Sequence, residues 1–186
     1  MSTQSFGTPI DQVFLLESLQ FEDERGSFLN VYRRNNLSFV DCWGDLPVNQ
    51  INLSTTSIVG TVRGLHCQSA SSAEKKIVRC IAGRVWDVAV DLRPHSNTFG
   101  SWFGLELSPD AGNALVIPEG CAHGFQVLKP SSQLLYIHSG AWTPNDEIGV
   151  HCEDPELAID WPLPVTNLSN RDQSLKSFTE LFDQSY

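Results

Sequence analysis

The sequence lacks the paired cysteines of a disulfide framework or a structural zinc site. Its five cysteines are scattered along the chain: Cys42, Cys67, Cys80, Cys121 and Cys152. Their number is odd, and no two stand three positions apart. Disulfide-stabilised domains usually carry an even number of cysteines at short spacings. We therefore expect free thiols and a cytoplasmic location.

Long apolar runs and an excess of basic residues are missing as well. Lysine and arginine number 12 against 22 acidic residues, which gives a formal net charge of −10. No apolar run approaches the roughly 20 residues that a membrane-spanning helix needs, and the first residues do not resemble a signal peptide. An acidic chain also gains no long-range attraction to nucleic acid or to an anionic membrane. We expect neither of these as a partner.

What the chain does contain is a succession of short β-type segments. Hydrophobic residues make up 41% of the 186 positions, which is enough for the core of one domain over 1–186. Alternating side chains predict a strand that ends near Leu92, and further strands are predicted over 101–107, 114–117, 124–128 and 133–138. This spacing predicts an all-β sandwich or barrel. Only the tail, about 173–184, has apolar residues at helical spacing.

Two stretches place a histidine among glycines within predicted strands. Residues 60–68 contain His66 and Gln68, and residues 112–125 contain His123. These stretches trace the two motifs of cupins, which are double-stranded β-barrels, and metal-binding cupins hold their ion with histidines and a carboxylate from these motifs. Gln68 is a poor ligand for a transition metal, and Glu74 lies later than the metal-binding pattern requires. A metal-dependent oxygenase or isomerase that uses these four side chains stays an alternative.

A closer resemblance covers nearly the whole chain. Seven segments carry it in order: RGLHCQ at 63–68, KIVR at 76–79, WDVAVDLR at 86–93, TFG at 98–100, IPEGCAHGF at 117–125, LY at 135–136 and IDWPL at 159–163. Together they resemble the dTDP-4-dehydrorhamnose 3,5-epimerase family of cupins, which invert carbons beside a sugar ketone without a metal. The resemblance implies a cupin double-stranded β-barrel, or jelly roll, and an epimerase that needs no cofactor.

The resemblance also implies roles for four side chains. His66 would be the base that removes a proton next to the ketone, with Asp172 paired to it. Lys76 would stabilise the enolate, and Tyr136 would return a proton from the opposite face. These residue types suit the chemistry, because such a proton is acidic only if the enolate oxygen is stabilised, and inversion needs an acid and a base on opposite faces.

Substrate-binding positions carry over from the family in the same way. The implied binding residues are Arg25, Asn30, Gln50, Asn52, Arg63, His123, Trp142, Glu147 and Arg171. Trp142 would stack on the nucleotide base where the family usually has tyrosine, since both rings offer a π face. Three further positions depart from the family: Asn30 replaces a glutamate, Leu53 a histidine and Arg171 a lysine. The implied substrate is a nucleotide-linked 4-keto-6-deoxy sugar similar to dTDP-4-dehydro-6-deoxyglucose, inverted at C3, C5 or both.

The family forms dimers in which N-terminal strands cross to the partner. The resemblance therefore implies a homodimer that exchanges strands within about 10–54, so that Arg25 and Asn30 could complete the neighbouring site. A non-catalytic protein that binds a sugar nucleotide without moving a proton also stays open. Asp87 and Asp91 share a strand face but stand roughly 13 Å apart, so we expect structural or supporting roles. His138 shares a face with Tyr136, and no motif connects it with chemistry.

Overall fold

Short alternating segments form strands along most of the chain. The computed structural model describes residues 3–34 and 36–183. Their strands are β1 (Thr3–Gly7), β2 (Phe14–Ser18), β3 (Gln20–Asp23), β4 (Gly26–Leu29), β5 (Gln50–Thr56), β6 (Val62–Gln68), β7 (Lys76–Ala82), β8 (Val85–Asp91), β9 (Trp102–Leu107), β10 (Asn113–Ile117), β11 (Cys121–Val127), β12 (Ser132–His138) and β13 (Glu147–Gly149). The helices are α1 (Leu37–Trp43), α2 (Asn170–Gln173) and α3 (Phe178–Phe182), and among these residues no helix is long and apolar enough to cross a membrane.

Two antiparallel sheets form the body of the molecule. The first sheet has the order β1-β2-β10-β7-β12-β5, and the second has the order β13-β6-β11-β8-β9. Side chains of both sheets meet in one buried cluster that includes Val78, Ala89, Phe125 and Leu134. Burial of such apolar side chains is the main force that holds two sheets together. The all-β class predicted from the sequence is confirmed.

The outer face of each sheet is covered as well. Phe39 and Trp43 of α1 pack with Ile77 and Ile137 on the first sheet. On the second sheet, Val88 and its neighbours pack against the C-terminal segment that includes α3. Strands buried on both faces are apolar on both faces. Strand β8 accordingly places apolar side chains in the central cluster and in the outer one.

The sequence predicts one helix over about 173–184, and the described residues of that range contain the last residue of α2 and the five residues of α3. Helix α2 ends at Gln173, and α3 begins after Ser177, whose side chain forms a capping box with Glu180. Between the helices, Lys176 forms a β-bridge with Val150. The bridge and the serine cap interrupt a helix that apolar spacing alone would continue. Residue 184 lies outside the described residues.

The two glycine-histidine stretches become neighbouring strands. Strand β6 pairs with β11, and His66 lies directly opposite His123. The strands approach so closely at Gly64 that a Cβ there would lie 2.5 Å from Gly124 Cα. Gly64 also has φ +121°, in the region that side chains other than glycine rarely adopt. Glycine is therefore required where the two histidine-bearing strands meet.

Replacing Gly64 with alanine tests this requirement. We expect Gly64→Ala to lower the free energy of unfolding by about 3 kcal/mol or more, because the methyl group meets backbone atoms and the backbone is strained. Urea denaturation measures the change. Gly7→Ala is the control, since nothing lies within 4 Å of a Cβ at that position. Equal stability of the two variants would contradict the argument.

Candidate active site

A cavity of about 670 Å³ lies among side chains of both sheets and α2. Most of the site residues predicted from the sequence line it: His66, Lys76, Tyr136, Asp172, Asn52, Arg63, His123, Trp142, Glu147 and Arg171. Strands β5, β7 and β12 contribute from the first sheet, and β6, β11 and β13 contribute from the second. The fold thus gathers residues from distant parts of the chain around one space large enough for a small-molecule ligand.

His66 and Asp172 form the pair that the resemblance implies. His66 Nε2 lies 2.8 Å from Asp172 Oδ1, and the Gly64 backbone N–H donates to Asp172 Oδ2 at 3.4 Å. Burial raises the pKa of Asp172, but the hydrogen bond and charge of His66, together with the Gly64 and Ser169 donors, outweigh it and lower the pKa below 3.8. With Nε2–H donating to the carboxylate, Nδ1 is the nitrogen left to accept a proton.

Arg171 lies against the same imidazole. Its Nη2 is 3.0 Å from His66 Nε2 and 3.3 Å from Nδ1, and it forms an ion pair with Glu147 Oε1 at 2.7 Å. A guanidinium can only donate hydrogen bonds. His66 Nε2 therefore cannot both donate to Asp172 and accept from Arg171. The carboxylate contact is the shorter of the two, so Nε2 donates to Asp172 and Arg171 is a cation that packs on the ring.

Lys76 lies at the beginning of β7 and reaches a buried carboxylate. Its Nζ is 3.3 Å from Glu74 Oε1, and the other Glu74 oxygen is 3.0 Å from His138 Nδ1. Burial raises the pKa of Glu74, while the hydrogen bond from His138 and the charge of Lys76 lower it, and the net shift is downward. Glu74 is therefore an anion beside the lysine. Sequence reasoning connected neither Glu74 with Lys76 nor His138 with any function.

Tyr136 lines the cavity from the first sheet, whereas His66 lines it from the second. Its ring makes an edge contact with His123 at a centroid distance of 5.9 Å and stacks on His138, also at 5.9 Å. Burial raises the pKa of the Tyr136 phenol well above 10. The phenol therefore keeps its proton at neutral pH and can donate it.

His123 is held by a carboxylate of its own. Its Nε2 lies 2.8 Å from Oδ1 of Asp87, a fully buried residue on the neighbouring strand β8. Burial raises the pKa of Asp87, with His123 and Lys76 opposing that rise. The sequence predicted a structural or supporting role for Asp87, and its contact with His123 holds that imidazole in place.

The side chains considered as metal ligands all have other partners. His66 and His123 pair with the carboxylates described above, and Glu74 is shared between a lysine and a histidine. Gln68 Oε1 accepts a hydrogen bond from the Thr143 backbone N–H at 2.9 Å. In the part of the chain that the structure describes, no group of three or more His, Cys, Asp or Glu side chains could hold a metal ion. The geometry does not favour the metal-dependent alternative.

Trp142 marks the exposed end of the cavity. Its side chain is half exposed, and its indole N–H donates to Glu147 Oε2 at 2.8 Å. Its backbone N–H donates to Gln50 Oε1, and Gln50 Nε2 donates to Asn52 Oδ1 at 3.0 Å. Gln50 thus supports the tryptophan from beside the cavity, and the exposed indole offers a face on which a ring could stack.

Arg25 and Asn30 do not reach this cavity within one chain. Arg25 is exposed in the β3–β4 hairpin, where it pairs with Asp23 and lines a separate cleft of about 280 Å³. Asn30 follows the same hairpin. The hairpin forms a two-stranded sheet of its own, apart from both large sheets. The structure of one chain therefore does not bring these two residues together with the other predicted site residues.

Comparison with known proteins identifies the family. Residues 7–180 match the family model described as dTDP-4-dehydrorhamnose 3,5-epimerase. The chain is 40% identical to the dTDP-4-dehydrorhamnose 3,5-epimerase of Escherichia coli (strain K12), over 94% of each protein. This chain belongs to the dTDP-4-dehydrorhamnose 3,5-epimerase family. The resemblance seen in seven segments of the sequence is confirmed.

Other similar proteins agree on the fold and differ in their named reactions. A dTDP-4-dehydrorhamnose 3-epimerase from Streptomyces niveus is 40% identical, over 94% of this chain and 83% of that protein. The solved structure of a 4-keto-6-deoxy sugar epimerase from the novobiocin biosynthetic gene cluster of Streptomyces spheroides has 38% identity and a TM-score of 0.92, over 98% of this chain and 91% of that chain. The predicted cupin jelly roll is thereby confirmed for this member of the epimerase family.

The lowered pKa of Asp172 predicts how stability depends on pH. Because the pKa in the folded state lies below 3.8, the stabilising contribution is present above pH 3.8 and is lost as pH falls through the lowered pKa. We expect Asp172→Asn to reduce the free energy of unfolding by about 1–3 kcal/mol at pH 6. The deficit should shrink as pH falls below 3.8, because the unfolded carboxyl is then protonated and the native one becomes neutral as pH falls through its lowered pKa.

Denaturant unfolding of both proteins at pH 6 and pH 3 measures this difference. Asp41→Asn, at an exposed position on α1, is the control for removing a surface carboxylate. A deficit that grows between pH 6 and pH 3 would contradict the assignment.

Proposed function

We propose that the protein epimerises a nucleotide-linked 4-keto-6-deoxy sugar by moving protons next to the C4 ketone. The observation that carries the proposal is the placement of His66 and Tyr136 on opposite sheets around one cavity. A base and an acid on opposite sides of a flat enolate are what inversion of a carbon requires. Lys76, on the wall of the same cavity, supplies a cation for the enolate oxygen.

Each proton has a defined donor and acceptor in this mechanism. His66 Nδ1 takes the proton from the carbon beside the ketone, and the C–H electrons move into the enolate. Asp172 stabilises the imidazolium that forms, and Lys76 stabilises the oxyanion. Tyr136 then donates its phenolic proton to the carbon from the opposite face. Solvent restores the proton on tyrosine and removes the one on histidine.

The nucleotide carrier is proposed to be dTDP. The names of the relatives specify this carrier, and the exposed face of Trp142 suits a stacked base. Arg63 and Arg171 bring positive charge to the cavity wall, which offsets locally the repulsion between an acidic protein and a diphosphate. Relatives named as 3-epimerase and as 3,5-epimerase are equally similar at 40% identity. The proposal therefore covers inversion at C3, C5 or both.

A cytoplasmic location completes this proposal. All five cysteines are buried free thiols, which suits a reducing compartment.

Deuterium exchange tests the proposed chemistry and separates it from mere nucleotide binding. With dTDP-4-dehydro-6-deoxyglucose in deuterated water, NMR should show deuterium entering at C3, C5 or both in the presence of the wild-type protein. His66→Ala should reduce exchange about 10²–10⁴-fold because no base remains. Tyr136→Phe should lose inversion more than exchange, since His66 can return a deuteron to the original face. A wild-type protein that binds dTDP but exchanges no deuterium would be the non-catalytic binding protein.

The proposal includes a homodimer. Apolar side chains are exposed on the separate β3–β4 hairpin, at Phe21 and Phe28, and on the edge strand β5, at Ile51 and Leu53. Exposed apolar groups beside an unpaired strand edge are typical of a surface that a partner covers. A second copy of the chain is the proposed partner, and its Arg25 and Asn30 would complete the cavity described here.

Mixed dimers test whether Arg25 serves the neighbouring site. Chains carrying Arg25→Ala and His66→Ala, with different tags, are co-expressed and the mixed dimer is isolated. One of its two sites then has both residues intact, so we expect about half of the wild-type activity, although each parent dimer is impaired. His66→Ala with Lys76→Ala is the matched control, because no site is intact in that mixture. A mixed Arg25/His66 dimer no more active than this control would refute the exchange.

A further inference from the structure

A row of hydrogen-bonded side chains leads from Lys76 toward the exposed end of the cavity. Lys76 Nζ lies 3.3 Å from Glu74 Oε1, and Glu74 Oε2 lies 3.0 Å from His138 Nδ1. His138 Nε2 is 3.4 Å from Asn52 Nδ2. Because Asn52 Oδ1 already accepts from Gln50, its amide donates to Nε2, and Nδ1 carries the imidazole hydrogen. His138 therefore donates to Glu74.

Three residues of this row, beginning at Lys76, are buried. Glu74, Lys76 and His138 are each less than a tenth exposed. Glu74 lines the cavity but is only 5% exposed. A carboxylate that loses a partner there finds little water and gains most by closing on the nearest cation. Without His138, that cation is Lys76.

Close packing fixes the base of the Glu74 side chain but not its carboxylate. Gly140 lies so close that a Cβ there would be 3.0 Å from Glu74 Cβ. His138 is directly opposite Lys76 in the pairing of β12 with β7, and its ring stacks on Tyr136 at an interplanar angle of 16°. The donor is therefore fixed in place, while the carboxylate between it and the lysine can rotate.

Glu74 has two opposite effects on the proposed chemistry. Its negative charge holds the Lys76 ammonium inside the protein, and the same charge opposes an oxyanion forming beside that ammonium. A carboxylate that binds the lysine through both oxygens would hold the ammonium away from the substrate. A hydrogen bond that retains one oxygen leaves part of the ammonium free to donate.

We propose that His138 is a positioning residue that retains one oxygen of Glu74 and so leaves Lys76 available to the enolate oxygen. This inference rests on the proposed function, because the enolate that Lys76 would stabilise forms only in that reaction. His138 acts through Glu74 and does not exchange a proton with the sugar. Its loss should therefore lower kcat and leave KM nearly unchanged.

Two amide replacements separate the functions of the two ring nitrogens. The amide nitrogen of His138→Asn falls near Nδ1 and keeps the donor to Glu74, whereas the amide oxygen of His138→Gln falls near Nε2 and accepts from Asn52. We expect His138→Gln and His138→Ala to lower kcat about 10–100-fold, as misplacement of a catalytic group does. His138→Asn should restore most of the rate. His95→Ala, at an exposed histidine, controls for loss of an imidazole elsewhere.

Coupling to Glu74 supplies the decisive measurement. In a Glu74→Gln background residue 74 has no negative charge with which to bind Lys76. There His138→Gln should change kcat by less than about 3-fold. Steady-state kinetics give kcat and KM for the four proteins of this cycle, and thermal unfolding and dTDP binding check that each is folded.

The outcomes distinguish this inference from the proposed function. No deuterium exchange by the wild-type protein would refute the function itself. Exchange by the wild type with an unchanged kcat in His138→Gln would refute only the role of His138. The same would follow if the loss in His138→Gln persisted undiminished in the Glu74→Gln background, or if it appeared mainly in KM.

Discussion

The hydrogen bond between His66 and Asp172 joins the second sheet to the C-terminal segment, and the wall of the cavity depends on it. The two residues are 106 positions apart. Asp172 lies in a helix of four residues, which is too short to be stable alone, and Ser169 caps that helix. Beyond it, Leu175 packs against Gly149, where a Cβ would meet its side chain at 3.0 Å. The candidate base is thus oriented by a segment that is itself held by β6 and β13.

Each histidine on the cavity wall has a carboxylate partner, but the partners differ in their surroundings. Asp172 accepts a backbone N–H besides the imidazole, and its pKa is lowered. Asp87 is fully buried, its Oδ2 has no hydrogen-bond partner among the described residues, and its pKa is raised. An anionic partner suits a histidine that would become positive in the proposed reaction, whereas a partner whose pKa is raised suits a histidine with a binding role.

The division between the two sheets explains how the proposed proton transfers could invert a carbon. The first sheet contributes Lys76 and Tyr136, the second contributes His66, and the substrate would lie between them. This arrangement needs a rigid frame, because both proton transfers depend on short donor–acceptor distances. The close contact at Gly64 and the clusters on the outer faces of both sheets supply that frame. Family membership and site geometry therefore agree on one type of chemistry.

The sequence by itself determined the strand pattern, the family and the set of candidate residues. Alternation along β8 predicted which side chains face each layer, because side chains of a strand point to opposite faces in turn. The family motifs identified His66, Lys76 and Tyr136, because the motifs occur in a fixed order along the chain. Apolar spacing did not reveal the break after Gln173, since a serine cap and a β-bridge decide it.

Only the tertiary structure decided which side chains become partners. Glu74 and His138 are 64 positions apart and meet because β7 and β12 pair in one particular register. A shift of that register by one residue would turn every side chain of a strand to the other face. The same limit applies to Arg25, whose hairpin lies apart from the cavity within one chain. Contacts between distant segments depend on register and packing across sheets, which local residue patterns do not encode.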